Sequence, residues 1–487
     1  MKFVPFPVLI GAVLGSILFG FGWLPAALLA AVPLLALILW RRPEYGLYLF
    51  IAVVIILTDA MDKDVEGIFA IKDVKIVQGL PPMLITFFLA MSLIYFFKLY
   101  FIERKESLIA VRYGFIVILI LLLATATGRW RGWNPIDLRV DFYNVLFPVL
   151  CFYLCANVLN TREKVHAMLG VIFIVGVIDA CILTAYYLNG NGWPYGIEGL
   201  GSGRIVTQDT KTLMVFVTMT ITIYSVSLTR ILTGWRRVFA LVGCLPMIFA
   251  ILFSFRRSFW LGTIASLIVF YIMSSRFEKR KTLAWVWIGI MLLTTPLLFA
   301  GNATNMKLLD PFVRRVLTLT DSKQSSNVHH LLESQQTLKD IFSSPILGLG
   351  LGSSHSPVFG IDWEADKQPL RIVHNTFLLI WMKLGLPGLL FFMWVLVKYI
   401  LVLLTYRKRI VSSHSGAIIA ATGSALGLWL VLLLTGPVMA YWYQTFMISI
   451  FAAIVLTLIR EEQREKTEEN GNALRVLQQE VLQGVMH

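Results

Sequence analysis

Residues 373–390 read VHNTFLLIWMKLGLPGLL. After His374-Asn375 the run is apolar enough for a membrane, with one charge at Lys383, and it breaks at Gly385-Leu-Pro-Gly388. Proline removes a backbone donor, so a helix kinks there. A titratable ring at the head of a lipid-grade helix points to polar chemistry at one membrane surface. The rest of the chain has the same texture. Of its 487 residues 57% are hydrophobic and only 14% charged, with a mean hydropathy of +0.76. A soluble domain carries nearer one quarter charged residues. The expected fold is therefore an all-α polytopic membrane protein.

On the rule that a span needs about 20 apolar residues, about fourteen candidates follow. They begin near residues 3, 24, 46, 80, 111, 142, 166, 212, 237, 258, 284, 374, 416 and 440. The first is read as a transmembrane helix rather than a removed signal peptide, because no small-residue cleavage site follows it. The four cysteines all fall inside apolar segments and offer neither a disulfide framework nor zinc spacing. The chain divides into helices 1–11 over 1–300, a large loop over 301–373, helices 12–14 over 374–460, and a polar tail over 461–487.

Orientation follows from Lys and Arg in the loops. With the N-terminus inside, the cytoplasmic loops hold WRRPEYG, FKLYFIERKES, NTREKVH, TRILTGWRR, SRFEKRK and YRKR. Both termini are then cytoplasmic and the 301–373 loop is extracytoplasmic. The net charge of +14 is explained mainly by this topology and gives no sign of nucleic-acid binding.

Nine arginines nevertheless fall on the outer side: Arg129, Arg131, Arg139, Arg204, Arg256, Arg257, Arg314, Arg315 and Arg371. Arg256-Arg257 sits in FSFRRSFWLG, in a tight turn between two spans, where fixed charge beside hydrocarbon is costly without a counter-ion. Snorkelling to headgroups is the plain reading. The functional reading is an anion site, because guanidinium matches phosphate oxygens bidentately. The stretch RWRGWNPIDLR at 129–139 alternates Arg and Trp; it is equally an interface belt or a surface for sugars and phosphates.

The 301–373 loop is too long for a mere connection. Within it, Val328, Leu331, Leu332, Gln335, Leu338 and Phe342 share one helical face, expected to lie on the outer leaflet or over a cavity. Then ILGLGLGSS alternates Gly348, Gly350 and Gly352 without the Lys of a P-loop, and is read as a turn letting backbone approach a ligand. His374 follows, on the same side as Arg256, Arg257, Arg314, Arg315 and Arg371. A base beside an anion clamp suits group transfer from a lipid phosphate or diphosphate to a hydroxyl. On spacing alone, a satisfied histidine at a helix N-terminus is as good a reading.

His374-Asn375, nine residues, Gly385, two residues, Gly388 resembles the signature of the O-antigen ligase and polymerase family. The segment SSPILGLGLGSS is similar to that family's Pro-x-x-Gly-x-Gly stretch, and FSFRRSFWLG stands where the family carries an Arg motif. The three run in the family's order over residues 250–390; the first 200 residues match only as a stack of helices. Two departures stand out. The Arg motif reads Arg256-Arg257-Ser258, and His329-His330 opens the loop helix where the family often has an arginine, so that Arg314 or Arg315 would complete the clamp.

The resemblance implies an inverting, metal-independent glycosyltransferase of the bacterial plasma (inner) membrane, needing no cofactor. Its donor would be an undecaprenyl-diphosphate-linked glycan and its acceptor a glycan hydroxyl. A flippase and chain-length proteins are candidate partners. His374 would activate the acceptor hydroxyl, and Arg256, Arg257, Arg314, Arg315 and Arg371 would hold the diphosphate. Asn375, Gly385, Gly388, Gly348, Gly350 and His330 would support them. Polymerisation of a surface or cell-wall polysaccharide is preferred over ligation to lipid A core. Two other readings are weaker. Asp62-x-Asp64 in MDKD is a chance-level metal pair, and a lipid-linked sugar flippase would want polar groups along a path rather than at one face.

Overall fold

The computed structural model describes residues 40–59, 91–102, 111–189, 220, 233–274, 325–356, 371–407, 414–440 and 442–485. Among the described residues the regular structure is helical throughout. The helices are α1 (Pro43–Asp59), α2 (Val111–Trp130), α3 (Pro135–Val158), α4 (Arg162–Leu188), α5 (Gly234–Phe253), α6 (Arg257–Met273), α7 (Ser325–Phe342), α8 (Thr376–Arg407), α9 (His414–Thr435) and α10 (Trp442–Val485). Six of them are long and apolar enough to cross a membrane. The expected spans near 46, 111, 142, 166, 237, 258, 374, 416 and 440 fall on α1–α6 and α8–α10. Those near 3, 24 and 284 lie outside the described residues, as do nearly all of the one near 212 and the first part of the one near 80.

Local chemistry sets the helix starts. Asn134 caps α3, its side chain accepting from Ile136 N at 2.9 Å, and Pro135 occupies the first turn, where no donor is missed. The helix thus begins seven residues before the expected 142, because Pro135–Asp141 adds polar turns that an apolar count passes over. Thr161 caps α4 by accepting from Lys164 N.

The core is organised around α9, where 83% of the spanning window is buried against 17–44% for the other five spans. Small residues let α6 and α9 approach closely. A Cβ on Gly427 would lie 2.6 Å from Ala265 O, and one on Gly262 would lie 2.2 Å from Leu428 Cδ1. Ser266 Oγ donates to Ser424 O at 2.8 Å. These pairs run in opposite directions along the two helices, so α6 and α9 are antiparallel. The outer surface carries Phe115, Leu119, Leu122, Leu245, Ile264 and Leu401, all exposed, as suits a lipid-facing wall.

The bundle has two distinct polar ends. At one, Arg162 pairs with Glu465 at 3.0 Å, Lys98 donates to Trp40 O at 2.6 Å, and Tyr95 donates to Asn157 O at 3.2 Å. Trp40, Lys98 and Arg162 belong to the loops expected to be cytoplasmic, Tyr95 and Asn157 stand just before two of those loops, and Glu465 is in the tail, which continues α10 as one helix to Val485. At the other end stand the close of α2, the start of α3, the start of α6, the close of α9 and the start of α8.

α8 breaks at Gly385, whose backbone is left-handed and non-helical (φ 68°, ψ −172°). The freed backbone groups are taken by the glycine loop: Leu386 N donates to Ile346 O at 3.0 Å and Leu349 N donates to Met382 O at 2.6 Å. A Cβ on Gly385 would lie 2.3 Å from Ile346 O. Gly385→Ala is therefore expected to lower stability by at least roughly 1–3 kcal/mol from backbone strain alone. Thermal unfolding of the purified protein in detergent, set beside a surface-alanine control, checks this.

Candidate active site

Asn375 caps α8. Its Oδ1 accepts from Phe377 N at 3.0 Å and Leu378 N at 3.3 Å. Thr376 Oγ1 donates to Gly436 O at 2.8 Å and accepts from Val438 N at 3.0 Å, which ties this helix start to the close of α9. His374 thus projects from a fixed point. Its backbone N donates to Glu333 Oε2 at 3.0 Å, and its ring Nδ1 lies 3.1–3.2 Å from both carboxylate oxygens. A carboxylate only accepts, so Nδ1 carries a proton, and in the neutral ring Nε2 keeps its lone pair. The His374 side chain is 26% exposed and that of Glu333 only 4%.

Glu333 sits on the buried face of α7, together with Thr337 and Ile341. The apolar face expected to lie on the outer leaflet or over a cavity is turned outward: Leu331 and Phe342 are 60% and 66% exposed. In a membrane an apolar face need not seek the protein core, and here the polar face is the one that seals against α8. Burial pushes the Glu333 carboxyl up, but nearby His330 and the bonded His374 outweigh it and hold it well below the usual carboxylate range. The His330 contact, at 4.0 Å from Nδ1 to Oε2, is longer than a hydrogen bond. His355 Nε2 lies 3.8 Å from Oε1, and the His330 and His374 rings are 4.4 Å apart. Burial also holds the His329 ring below the ordinary histidine value.

The arginine turn lies at the same end. Because α6 and α9 are antiparallel, the head of α6 sits beside the close of α9, where Thr376 is anchored. Phe255 takes φ +48°, rare for an aromatic residue, with its side chain fully buried between Phe253 and Trp260. Ser254 Oγ donates to Ile251 O at 2.7 Å and accepts from Arg256 N at 3.4 Å. The turn holds Arg256 and Arg257 half-buried, with the Arg256 guanidinium 5.1 Å from the centre of the Phe259 ring. Arg314 and Arg315 lie outside the described residues.

Two sequence-stretch expectations are redrawn by the geometry. Arg371 is not a bare cation: it pairs with Asp137, and its Nη2 is 3.5 Å from Asp141 Oδ1. What Gly348, Gly350 and Gly352 approach is protein backbone. All three have positive φ, and Cβ atoms on them would meet Gly385 N at 2.7 Å, Gly128 N at 2.3 Å and Leu138 N at 3.0 Å. The loop is a wedge between the break in α8 and the α2–α3 corner, where Trp133 Nε1 also donates to Leu349 O at 2.9 Å. Gly388 serves the same break, since a Cβ there would sit 2.2 Å from Leu384 Cβ.

Beneath the wedge, Asp141 Oδ2 accepts from Gly352 N at 2.8 Å and from the buried Lys383 ammonium, which also donates to Ser353 O at 3.1 Å. Asp141, Asp137, Glu333 and His355 escape the sequence reading. Two signals were present: Glu333 follows His330 by three residues on one helical face, and a lysine inside a span needs a carboxylate partner.

Residues 242–393 match a family described as O-Antigen ligase. A comparison with curated proteins gave no match. The matched stretch contains the Arg256 turn, α7 with Glu333, the glycine wedge, and the broken helix headed by His374. Over this stretch the chain is similar to the O-antigen ligase family.

Proposed function

We propose that the protein is an inverting, metal-independent glycosyltransferase that polymerises undecaprenyl-diphosphate-linked glycan units at the outer face of a bacterial plasma membrane. The observation that carries this reading is the His374–Glu333 pair, held at the arginine-bearing end of the bundle. An aligned carboxylate fixes the imidazole tautomer and stabilises the imidazolium that forms, leaving Nε2 as a base. His374 Nε2 takes the proton of the acceptor hydroxyl as its oxygen attacks the anomeric carbon from the face opposite the leaving group. The bond to the lipid diphosphate breaks with inversion, and Arg256, Arg257 and Arg314 or Arg315 stabilise the negative charge that develops. Fixed cationic donors can do this without a metal. Arg371 acts at one remove, by fixing the strand of chain that leads into His374.

About fourteen spans, with α7 in a large extracytoplasmic loop and both termini cytoplasmic, complete the proposal. Lipid-linked donor chains and a growing acceptor glycan are its partners.

The test uses purified protein, chelator, and undecaprenyl-diphosphate-linked repeat units with no added acceptor. A product ladder is expected. Transfer that begins only when lipid A core is supplied would make the protein a ligase, and no transfer in either case would overturn the reading.

A further inference from the structure

Four of the chain's seven histidines, His329, His330, His355 and His374, gather around the one buried carboxylate of Glu333. A proton-relay pair needs a single histidine. The surplus has the composition of a metal site: imidazole and carboxylate are the donors that zinc takes, and two histidines with one glutamate leave an open fourth position. His330 and Glu333 are three residues apart on α7 and so face the same way, while His374 closes the set from the head of α8.

Donor atoms from His330, Glu333 and His374 all lie within 4.8 Å of one another. His374 Nδ1 is 3.1 Å and His330 Nδ1 4.0 Å from Glu333 Oε2. Ligand atoms around a tetrahedral zinc ion stand roughly 3.3–3.5 Å apart, so small side-chain rotations would complete the site. The His330 Nδ1 atom is buried and makes no hydrogen bond among the described residues, although it faces the carboxylate.

We propose that His330, Glu333 and His374 bind a divalent transition-metal cation of the zinc class, and that the bound ion switches the base off. This rests on the reading of His374 as the base. Without metal, Nδ1 holds the proton and Nε2 the lone pair. The ion bonds to Nδ1, whose proton passes to solvent while Nε2 takes one up, so the ring stays neutral with no net change in protons. Nε2 then has no lone pair left to accept from a hydroxyl. The enzyme is thus active without metal and inhibited by zinc. Magnesium, which prefers oxygen ligands, is not a competitor.

The experiment titrates Co²⁺ into chelator-stripped, full-length protein in detergent and follows the visible absorption bands of the coordinated ion. One equivalent with tetrahedral bands is expected, weakened at least tenfold in His330→Ala and in Glu333→Gln. His330→Asn serves as a second variant, and size-exclusion profiles and melting curves certify folding. Zn²⁺, but not Mg²⁺, is expected to halt glycan transfer, with each variant compared against its own chelated rate. Absence of a saturable spectrum, or spectra unchanged in folded variants, would overturn the site. Zn²⁺ that raises transfer would overturn the switch. If Co²⁺ binds as expected but chelated protein transfers no glycan, the site stands, while the glycosyltransferase reading and the switch fall together. If chelated protein transfers and Co²⁺ does not bind, the site and the switch fall and the glycosyltransferase reading stands.

Discussion

His374→Ala loses glycan transfer by a factor of about 10²–10⁴, the range expected when a positioned base is removed. The loss appears in the turnover rate, measured with chelator present, and leaves the size-exclusion profile unchanged, because the ring is partly exposed and α8 keeps its Asn375 cap. Glu333→Gln retains shape but loses charge. It is expected to cost about 10–100-fold, as is common when a residue that orients a functional histidine is changed. The same substitution separates the two roles of the pair, since it leaves Nε2 in place and removes what fixes the tautomer. The acid side gives a further check. Glu333 has a depressed folded-state pKa, so its stabilising contribution is fully present above the unfolded value of about 4.3. That contribution declines below this value and is gone once pH has fallen through the lower folded value. The seal between α7 and α8 should therefore persist at pH values near 4, which protease access to the 325–342 helix would report. Wild type whose helix opens well above that pH would count against the pairing.

The second large effect concerns stability. Asp141→Leu leaves the buried Lys383 ammonium without its carboxylate and Gly352 N without an acceptor. Breaking a buried pair from one side costs about 3–5 kcal/mol, whereas replacing both charges by apolar groups of similar volume is often neutral. Asp141→Leu and Lys383→Met should each unfold at markedly lower temperature, and the double variant should recover much of the loss. A double variant as unstable as the sum of the singles would show that the two residues act independently. Partial recovery is expected, because Gly352 N remains orphaned.

Composition and periodicity are properties of contiguous residues, and they suffice for much of this protein. The membrane class, the helices at nine of the expected positions, the break at Gly385, and the gathering of His374 with Arg256 and Arg257 at one end can all be read along the chain. A helix over 325–342 is legible in the same way, and its apolar face is turned outward, but the carboxylate buried on its other face is not legible.

The partners of the charged residues were legible only in space. Glu333 and His374 are separated by 41 positions, and Asp141 and Lys383 by 242. Nothing in local spacing selects one carboxylate among 28 acidic residues. Asp141 was further hidden because its helix was counted from its apolar residues alone. The glycines tell the same story: alternation over 348–352 announced close approach, but only the fold decided that the approached surface is backbone at Gly128, Leu138 and Gly385. The sequence by itself determined which solvent each segment prefers and where helices begin and break, because those energies are summed over neighbours in the chain. The tertiary structure decided which charge meets which, because desolvating a charge is tolerable only where a partner arrives from elsewhere in the fold.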